Sequence, residues 1–184
     1  MLKLLKTIIK VGDTTVKYPF KPYEVCEDFR GKPEYNAEQC IACAACTMAC
    51  PANALTMNTD RSTGERKWLL FLGRCIFCGR CEEVCPTKAI RLSQEFEMAV
   101  FNKADLFQEA IFKVADCHVC QRPFAPRKSI DYAISLLVQS GMDPVEAEAR
   151  RHQFETCPEC KRKQNIISSP GVSLGQHLNQ EAAK

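Results

Sequence analysis

Eight cysteines stand in two runs of one form. The first is Cys40-Ile-Ala-Cys43-Ala-Ala-Cys46-Thr-Met-Ala-Cys50-Pro51, and the second is Cys75-Ile-Phe-Cys78-Gly-Arg-Cys81-Glu-Glu-Val-Cys85-Pro86. Each reads C-x2-C-x2-C-x3-C-P. Cysteines two residues apart on tight turns converge on one metal centre and are poorly placed to bridge one another. The same turns can aim backbone N–H groups at the sulfurs, which raises the potential of a redox centre held there. Zinc sites favour paired C-x2-C units separated by longer loops. Two four-cysteine runs closed by proline fit iron-sulfur ligation far better. Four further cysteines do form such pairs: Cys117-His-Val-Cys120 and Cys157-Pro-Glu-Cys160. They read as a closed four-thiolate knuckle, a zinc-ribbon or rubredoxin type of site. Zinc is the expected ion. A single iron would take the same ligands and geometry, and unmetallated thiols also stay open. With the shell complete at four sulfurs, His118 and His152 read as surface or core histidines.

Cysteines make up 13 of the 184 residues, far above ordinary usage, and such a count means disulfides or metal. Only Cys26 falls outside the groups, and it reads as a spectator thiol. Reduced thiols without an export signal lead to an expectation of a cytoplasmic protein. No window approaches a membrane span. A net charge of +3 is too mild to argue for nucleic acid. Lys161-Arg162-Lys163 is the only patch supporting a nucleic-acid binder, and it reads as a charged helix end.

The elements around these cysteines read in order as an α+β chain. Residues 1–11 form an amphipathic helix with Leu2, Leu4, Leu5, Ile8, Ile9 and Val11 on one half and Lys3, Lys6 and Lys10 on the other, ended by Gly12. Such a helix suits a membrane surface or a membrane subunit. Prolines 19, 22 and 33 make residues 13–35 an extended arm laid over another surface.

Residues 36–92 hold both runs, with the spacing of a bacterial two-cluster ferredoxin. In that arrangement the first three cysteines of a run bind one [4Fe-4S] cluster and its fourth binds the other. Cys40, Cys43, Cys46 and Cys85 would hold one cluster, and Cys75, Cys78, Cys81 and Cys50 the second. The runs superpose at an offset of 35 residues, from Cys40 to Cys75, which implies an approximate two-fold axis. Gly79 suits a turn with positive φ, and Ala44 stands at the matching place in the first run, a departure the fold should tolerate. Single helical turns are expected around Met48 and Glu83. A β-hairpin is expected from Ala54–Thr59 and Arg66–Gly73, with Trp68 and Phe71 as core or contact residues. Arg74, Arg80, Lys88 and Arg91 are candidates to favour reduced clusters electrostatically.

Residues 93–116 carry a helical pattern in Ala104, Phe107, Ile111 and Val114, with Asn102 as N-cap. Residues 93–164 then read as a small helical region closed by the four-cysteine knuckle. Its helices carry a stripe of Ile130, Ile134, Leu137 and Val138, a stop at Gly141, and a second helix from Asp143 through Arg151. Residues 165–184 read as a tail without chemistry.

The doubled run, Tyr18-Pro19, Phe29-Arg30-Gly31-Lys32-Pro33 and the downstream knuckles occur together. In this the chain resembles the ferredoxin-type electron-transfer subunits of formate hydrogenlyase and hydrogenase-4. These are relatives of the two-cluster subunit of respiratory complex I. The resemblance implies a non-catalytic subunit passing single electrons through two [4Fe-4S] clusters, peripheral on the cytoplasmic face of the cell membrane. It implies as partners the [NiFe] hydrogenase small and large subunits, an iron-sulfur subunit on the formate dehydrogenase side, and membrane-arm subunits. The alternatives are a complex I-type NADH or ferredoxin:quinone oxidoreductase subunit and a soluble low-potential ferredoxin.

Overall fold

The computed structural model describes residues 2–12 and 15–168. Helix α1 covers Leu2–Val11. Gly12 closes it at φ 63°, and its N–H donates to the Ile8 carbonyl at 3.0 Å. Leu4, Leu5, Ile8, Ile9 and Val11 are all exposed. No helix among the described residues is long and apolar enough to cross a membrane.

Residues 15–32 of the arm are extended with short turns, and from Tyr18 onward the arm packs on its own chain. Phe96 sits among the rings of Tyr18, Tyr23 and Phe29. Gly31 and Lys32 exchange backbone hydrogen bonds with residues 93–95. Gly31 has no room for a side chain: an added Cβ would lie 2.8 Å from the Ser93 carbonyl oxygen and closer still to that of Glu95.

Two halves follow with one geometry. Strand β1 (Pro33–Tyr35), helix α2 (Ala45–Ala49) and strand β2 (Leu55–Asp60) belong to the first. Strand β3 (Glu65–Phe71), helix α3 (Arg80–Val84) and strand β4 (Ile90–Leu92) belong to the second. The 35-residue offset maps Pro33↔Leu92 and Tyr35↔Ile90 onto Trp68↔Met57 and Leu70↔Leu55, the observed registers of the β1–β4 and β2–β3 pairs. It also maps the left-handed residues onto one another: Ala42 on Phe77, Ala44 on Gly79, Asn53 on Lys88. Ala44 takes φ 68° and Gly79 φ 79°, each just before its helical turn. Trp68, Leu70, Leu55, Ile90, Ala42, Ala54, Leu72 and Phe112 form the shared core.

The helix expected over residues 93–116 is corrected. A short 3-10 turn spans Lys103–Leu106 and strand β5 runs from Phe107 to Asp116. The segment obeys a period of two: Phe112 and Val114 are buried while Ile111 and Lys113 are exposed. The i, i+3, i+4 reading grouped the exposed Phe107 and Ile111 with the buried Val114 on one helix face. Asn102 does cap, accepting from the Ala104 N–H at 3.0 Å, but it caps the 3-10 turn. Strand β5 pairs with β3, and β6 (Pro123–Pro126) extends the same sheet, in the order β2-β3-β5-β6. One sheet therefore crosses the expected boundary at residue 92.

Helices α4 (Arg127–Gln139), α5 (Pro144–Ala149), α6 (Arg151–Phe154) and α7 (Pro158–Ser168) complete the described residues. Ile130 and Ile134 of α4 pack with Ala115 and Ala147, and Leu137 and Val138 lie against them. Gly141 turns the chain at φ 101°. Asp143 caps α5 through its carboxylate, which accepts from the Val145 N–H at 3.0 Å. The expected tail is corrected at its start, since residues 165–168 belong to α7, and its remainder lies outside the described residues.

Candidate functional site

The fold sorts the eight cysteines of the runs into two small cavities. One is lined by Cys40, Cys43, Cys46 and Cys85, with Tyr35, Met57, Thr87 and Ile90 around them. The other is lined by Cys50, Cys75, Cys78 and Cys81, with Pro33, Ala52, Leu55, Leu70 and Leu92. Each cavity takes three sulfurs from one run and one from the other. The left-handed residues curl each run so that its first three thiols face one cavity. Pro51 and Pro86 follow the fourth cysteine and turn the chain away.

Backbone donors meet the sulfurs in matched pairs. Ala54 N–H lies 3.3 Å from Cys50 Sγ, and Ala89 N–H lies 3.2 Å from Cys85 Sγ. Ala42 N–H lies 3.4 Å from Cys40 Sγ, and Phe77 N–H serves Cys75 at the equivalent place. Without metal, burial raises the thiols of Cys46 and Cys75, and it pushes Cys81 up to about 12. Burial works the same way on Cys85, but the donors Thr87, Ala89 and Ile90 outweigh it and leave that thiol below its ordinary value. A mostly apolar pocket that opposes bare thiolates yet supplies donors to sulfur suits a group that brings its own cations.

Among the described residues, two buried side-chain donors have no formed hydrogen bond: the Tyr35 hydroxyl and the Trp68 indole N–H. Sulfur stands beside each, Cys40 beside Tyr35 and Cys46 beside Trp68. The two rings stack with centroids 3.7 Å apart, and Trp68 is fully buried. Trp68 is thus a core residue as expected, and also a donor facing a cysteine sulfur. Extending the repeat outward from the cysteines would have revealed the pair, since Tyr35 aligns with Leu70 and Trp68 with Pro33.

Most of the cations expected near the second run have partners of their own. Arg80 is paired with Glu83 at 2.6 Å, Lys88 donates to the Glu82 carbonyl, and Arg74 lies over the Phe71 ring. Arg91 is exposed on β4. Arg30 and Arg66 also reach the runs, each donating from Nη1 to a run carbonyl at 3.1 Å, Cys78 for Arg30 and Ala42 for Arg66. Both lie outside the cysteine runs, so cysteine spacing gave no signal for them.

The second constellation also converges. The sulfurs of Cys117, Cys120, Cys157 and Cys160 lie within 4.8 Å of one another. Cys120 and Cys157 are 3.8 Å apart, and a tetrahedron with metal–sulfur bonds of about 2.3 Å has edges of about 3.8 Å. Strand β5 delivers Cys117, Gln121 at φ 56° turns the first knuckle, and α7 carries Cys160 in its first turn. Cys157 N–H donates to Cys117 Sγ at 3.2 Å. Burial resists ionisation of Cys117, yet the N–H groups of Cys157, Cys120 and Val119 hold its thiol below the ordinary value. Its neighbour Cys157, followed by burial, pushes the Cys160 thiol up. Four crowded thiols cannot all ionise without a cation among them. The donor set and spacing fit one tetrahedral ion, zinc or iron. His118 and His152 are exposed and outside the cluster, and so is Cys26.

Two cavities that share a pair of cysteine runs define a dicluster iron-sulfur fold, and residues 39–89 match the family model for the 4Fe-4S dicluster domain. The likeness extends well beyond that domain. The chain is 54% identical over 180 residues to formate hydrogenlyase subunit 6 of Escherichia coli (strain K12), covering 98% of this chain and 99% of that one. It therefore belongs to the family of that subunit. More distantly, it is 33% identical over 174 residues to NAD(P)H-quinone oxidoreductase subunit I of Prochlorococcus marinus (strain MIT 9515), covering 88% of this chain and 82% of that one. A chain of the solved membrane-bound sulfane sulfur reductase, an archaeal respiratory membrane complex, aligns at 26% identity over 55% of this chain and 58% of that one, with a TM-score of 0.41.

Proposed function

We propose that this chain is the non-catalytic electron-transfer subunit of a membrane-associated [NiFe]-hydrogenase of the formate hydrogenlyase or hydrogenase-4 type. The observation that carries the reading is the pair of four-cysteine cavities, each built from both runs, in a chain with near full-length likeness to formate hydrogenlyase subunit 6. Cys40, Cys43, Cys46 and Cys85 would hold one [4Fe-4S] cluster, and Cys50, Cys75, Cys78 and Cys81 the other. When bound, such clusters supply reversible one-electron chemistry. The protein supplies the rest. Eight thiolates fix two sites in one core, backbone N–H groups stabilise their charge, and mostly apolar walls limit water around them. Arg30 and Arg66 each place a cation against a run. The Cys117, Cys120, Cys157 and Cys160 site takes one zinc as a staple for the C-terminal helices.

The partners of this reading are the hydrogenase small and large subunits, an iron-sulfur subunit on the formate dehydrogenase side, and membrane-arm subunits. The chain lies on the cytoplasmic face. Exposed Leu4, Leu5, Ile8, Ile9 and Val11 on α1 support docking there. Affinity purification of the native protein tests the assignment. Recovery of a [NiFe] large subunit from the membrane fraction is expected, and a free soluble monomer would defeat the reading. The likeness to NAD(P)H-quinone oxidoreductase subunit I favours one alternative, a complex I-type oxidoreductase. Recovery of quinone-oxidoreductase subunits without a hydrogenase would establish that one instead.

A further inference from the structure

The two cavities match in backbone and differ in side chains. Ala54 N–H to Cys50 is repeated by Ala89 N–H to Cys85. Each run also receives one arginine at the same distance. Neither feature ranks one cavity above the other. The 35-residue offset then places Tyr35 against Leu70, Trp68 against Pro33 and Thr87 against Ala52. The Cys40, Cys43, Cys46 and Cys85 cavity thus has three side-chain donors. Tyr35 O–H faces Cys40, Trp68 N–H faces Cys46, and Thr87 Oγ1 lies 3.7 Å from Cys85 Sγ. At the equivalent places the other cavity has Leu70, Pro33 and Ala52, which offer no side-chain donor.

Two of these donors are buried without a formed partner, and an unsatisfied buried donor costs about as much as a lost hydrogen bond. That cost is recovered if the acceptor beside them is anionic sulfur. One electron added to a [4Fe-4S] cluster makes it one unit more negative, with no bond made or broken and no proton required. Donor dipoles aimed at its sulfurs stabilise the reduced form more than the oxidised form. Water acts with the same sign, since Cys43 is exposed where the matching Cys78 is half-buried.

We propose that Tyr35, Trp68 and Thr87 tune the cluster held by Cys40, Cys43, Cys46 and Cys85, so that it has the higher reduction potential of the two. This rests on the reading that both cavities hold [4Fe-4S] clusters. Tyr35, Trp68 and Thr87 are positioning residues that act through the sulfurs. The electron left on a singly reduced subunit then resides at the Tyr35–Trp68 side, and the apolar Leu70–Pro33 side is the harder to reduce.

The test is a redox titration of the full chain followed by electron paramagnetic resonance, with iron counted in every sample. The wild type should give two separable midpoints. Tyr35→Phe removes one oxygen and keeps the stacked ring. Thr87→Val keeps the shape of the side chain, and Trp68→Phe removes the indole N–H. Each should lower the higher midpoint and leave the lower one in place. The expected shift is roughly tenfold in the one-electron equilibrium, ~59 mV. If Trp68→Phe loses iron, the other two variants decide. Coincident wild-type midpoints, unmoved midpoints in iron-replete variants, or a shift of the lower midpoint would each overturn the proposal. A wild-type chain with no [4Fe-4S] signal would instead overturn the cluster reading beneath it.

Discussion

Replacing Gly31 with alanine should peel the arm from the cluster-bearing half of the chain. The added methyl has no free space. It would sit 2.8 Å from the Ser93 carbonyl oxygen and 2.9 Å from the Glu95 carbonyl carbon. Both neighbours are backbone, so no side chain can swing aside. Three backbone hydrogen bonds hold the contact: Gly31 N–H to Ser93 O at 2.9 Å, Lys32 N–H to Glu95 O at 2.6 Å, and Ser93 N–H to Lys32 O at 3.0 Å. At about 1 kcal/mol net each, losing two or three of them costs about 2–3 kcal/mol. The Lys32–Glu95 ion pair is largely exposed and adds little. That cost corresponds to a rise in local opening of roughly thirty- to a hundred-and-fortyfold. Hydrogen exchange at Gly31, Lys32 and Ser93 should accelerate by that factor. Arg30, next in sequence, should loosen from the Cys78 carbonyl that it reaches at 3.1 Å. Unchanged exchange at all three amides would refute the close-approach reasoning.

Trp68→Ala empties the centre of the shared core and should cost about 3–5 kcal/mol, read as earlier loss of iron-sulfur absorption in denaturant; an unshifted midpoint would contradict the core placement. Metal assembly must take protons from Cys46, Cys75 and Cys81, whose thiols burial raises above 9.0 and, for Cys81, to about 12. Protons therefore compete with iron, retention should rise with pH, and acid should release iron. Chelator competition across pH checks this, and pH-independent retention would contradict it. Cys120→Ser should release the single ion of the C-terminal site and speed exchange in α4–α7. The two clusters should stay, because that site packs in its own cluster of residues. Concerted loss of all metal would show that the two regions fold as one unit.

Much of the site was legible because metal ligation is written in local spacing. The two runs, their left-handed turns at Ala44 and Gly79, and the single helical turns after them are short-range features. So was Asn102 as a cap, although the turn it caps is 3-10. Strand β5 was misread because Phe107, Ile111 and Val114 satisfy a helical period while Phe112 and Val114 satisfy a strand period. Only pairing with β3 decides between them. Other features depend on contacts across the fold and leave no local spacing. The docking of Gly31 on residues 93–95 is one, and the reach of Arg30 and Arg66 into the runs is another. Tyr35 and Trp68 lie between. Their chemistry was visible as two aromatic donors, but their aim at Cys40 and Cys46 follows from the two-fold arrangement of the halves.

The central claim is that this chain carries two four-iron clusters and one closed four-thiolate site. Metal analysis of the intact, anaerobically purified protein tests it most directly. Two clusters predict about eight irons per chain, and the knuckle predicts about one zinc beside them. About four irons would mean that only one of the two cavities holds a cluster, and zinc without iron would contradict the account outright.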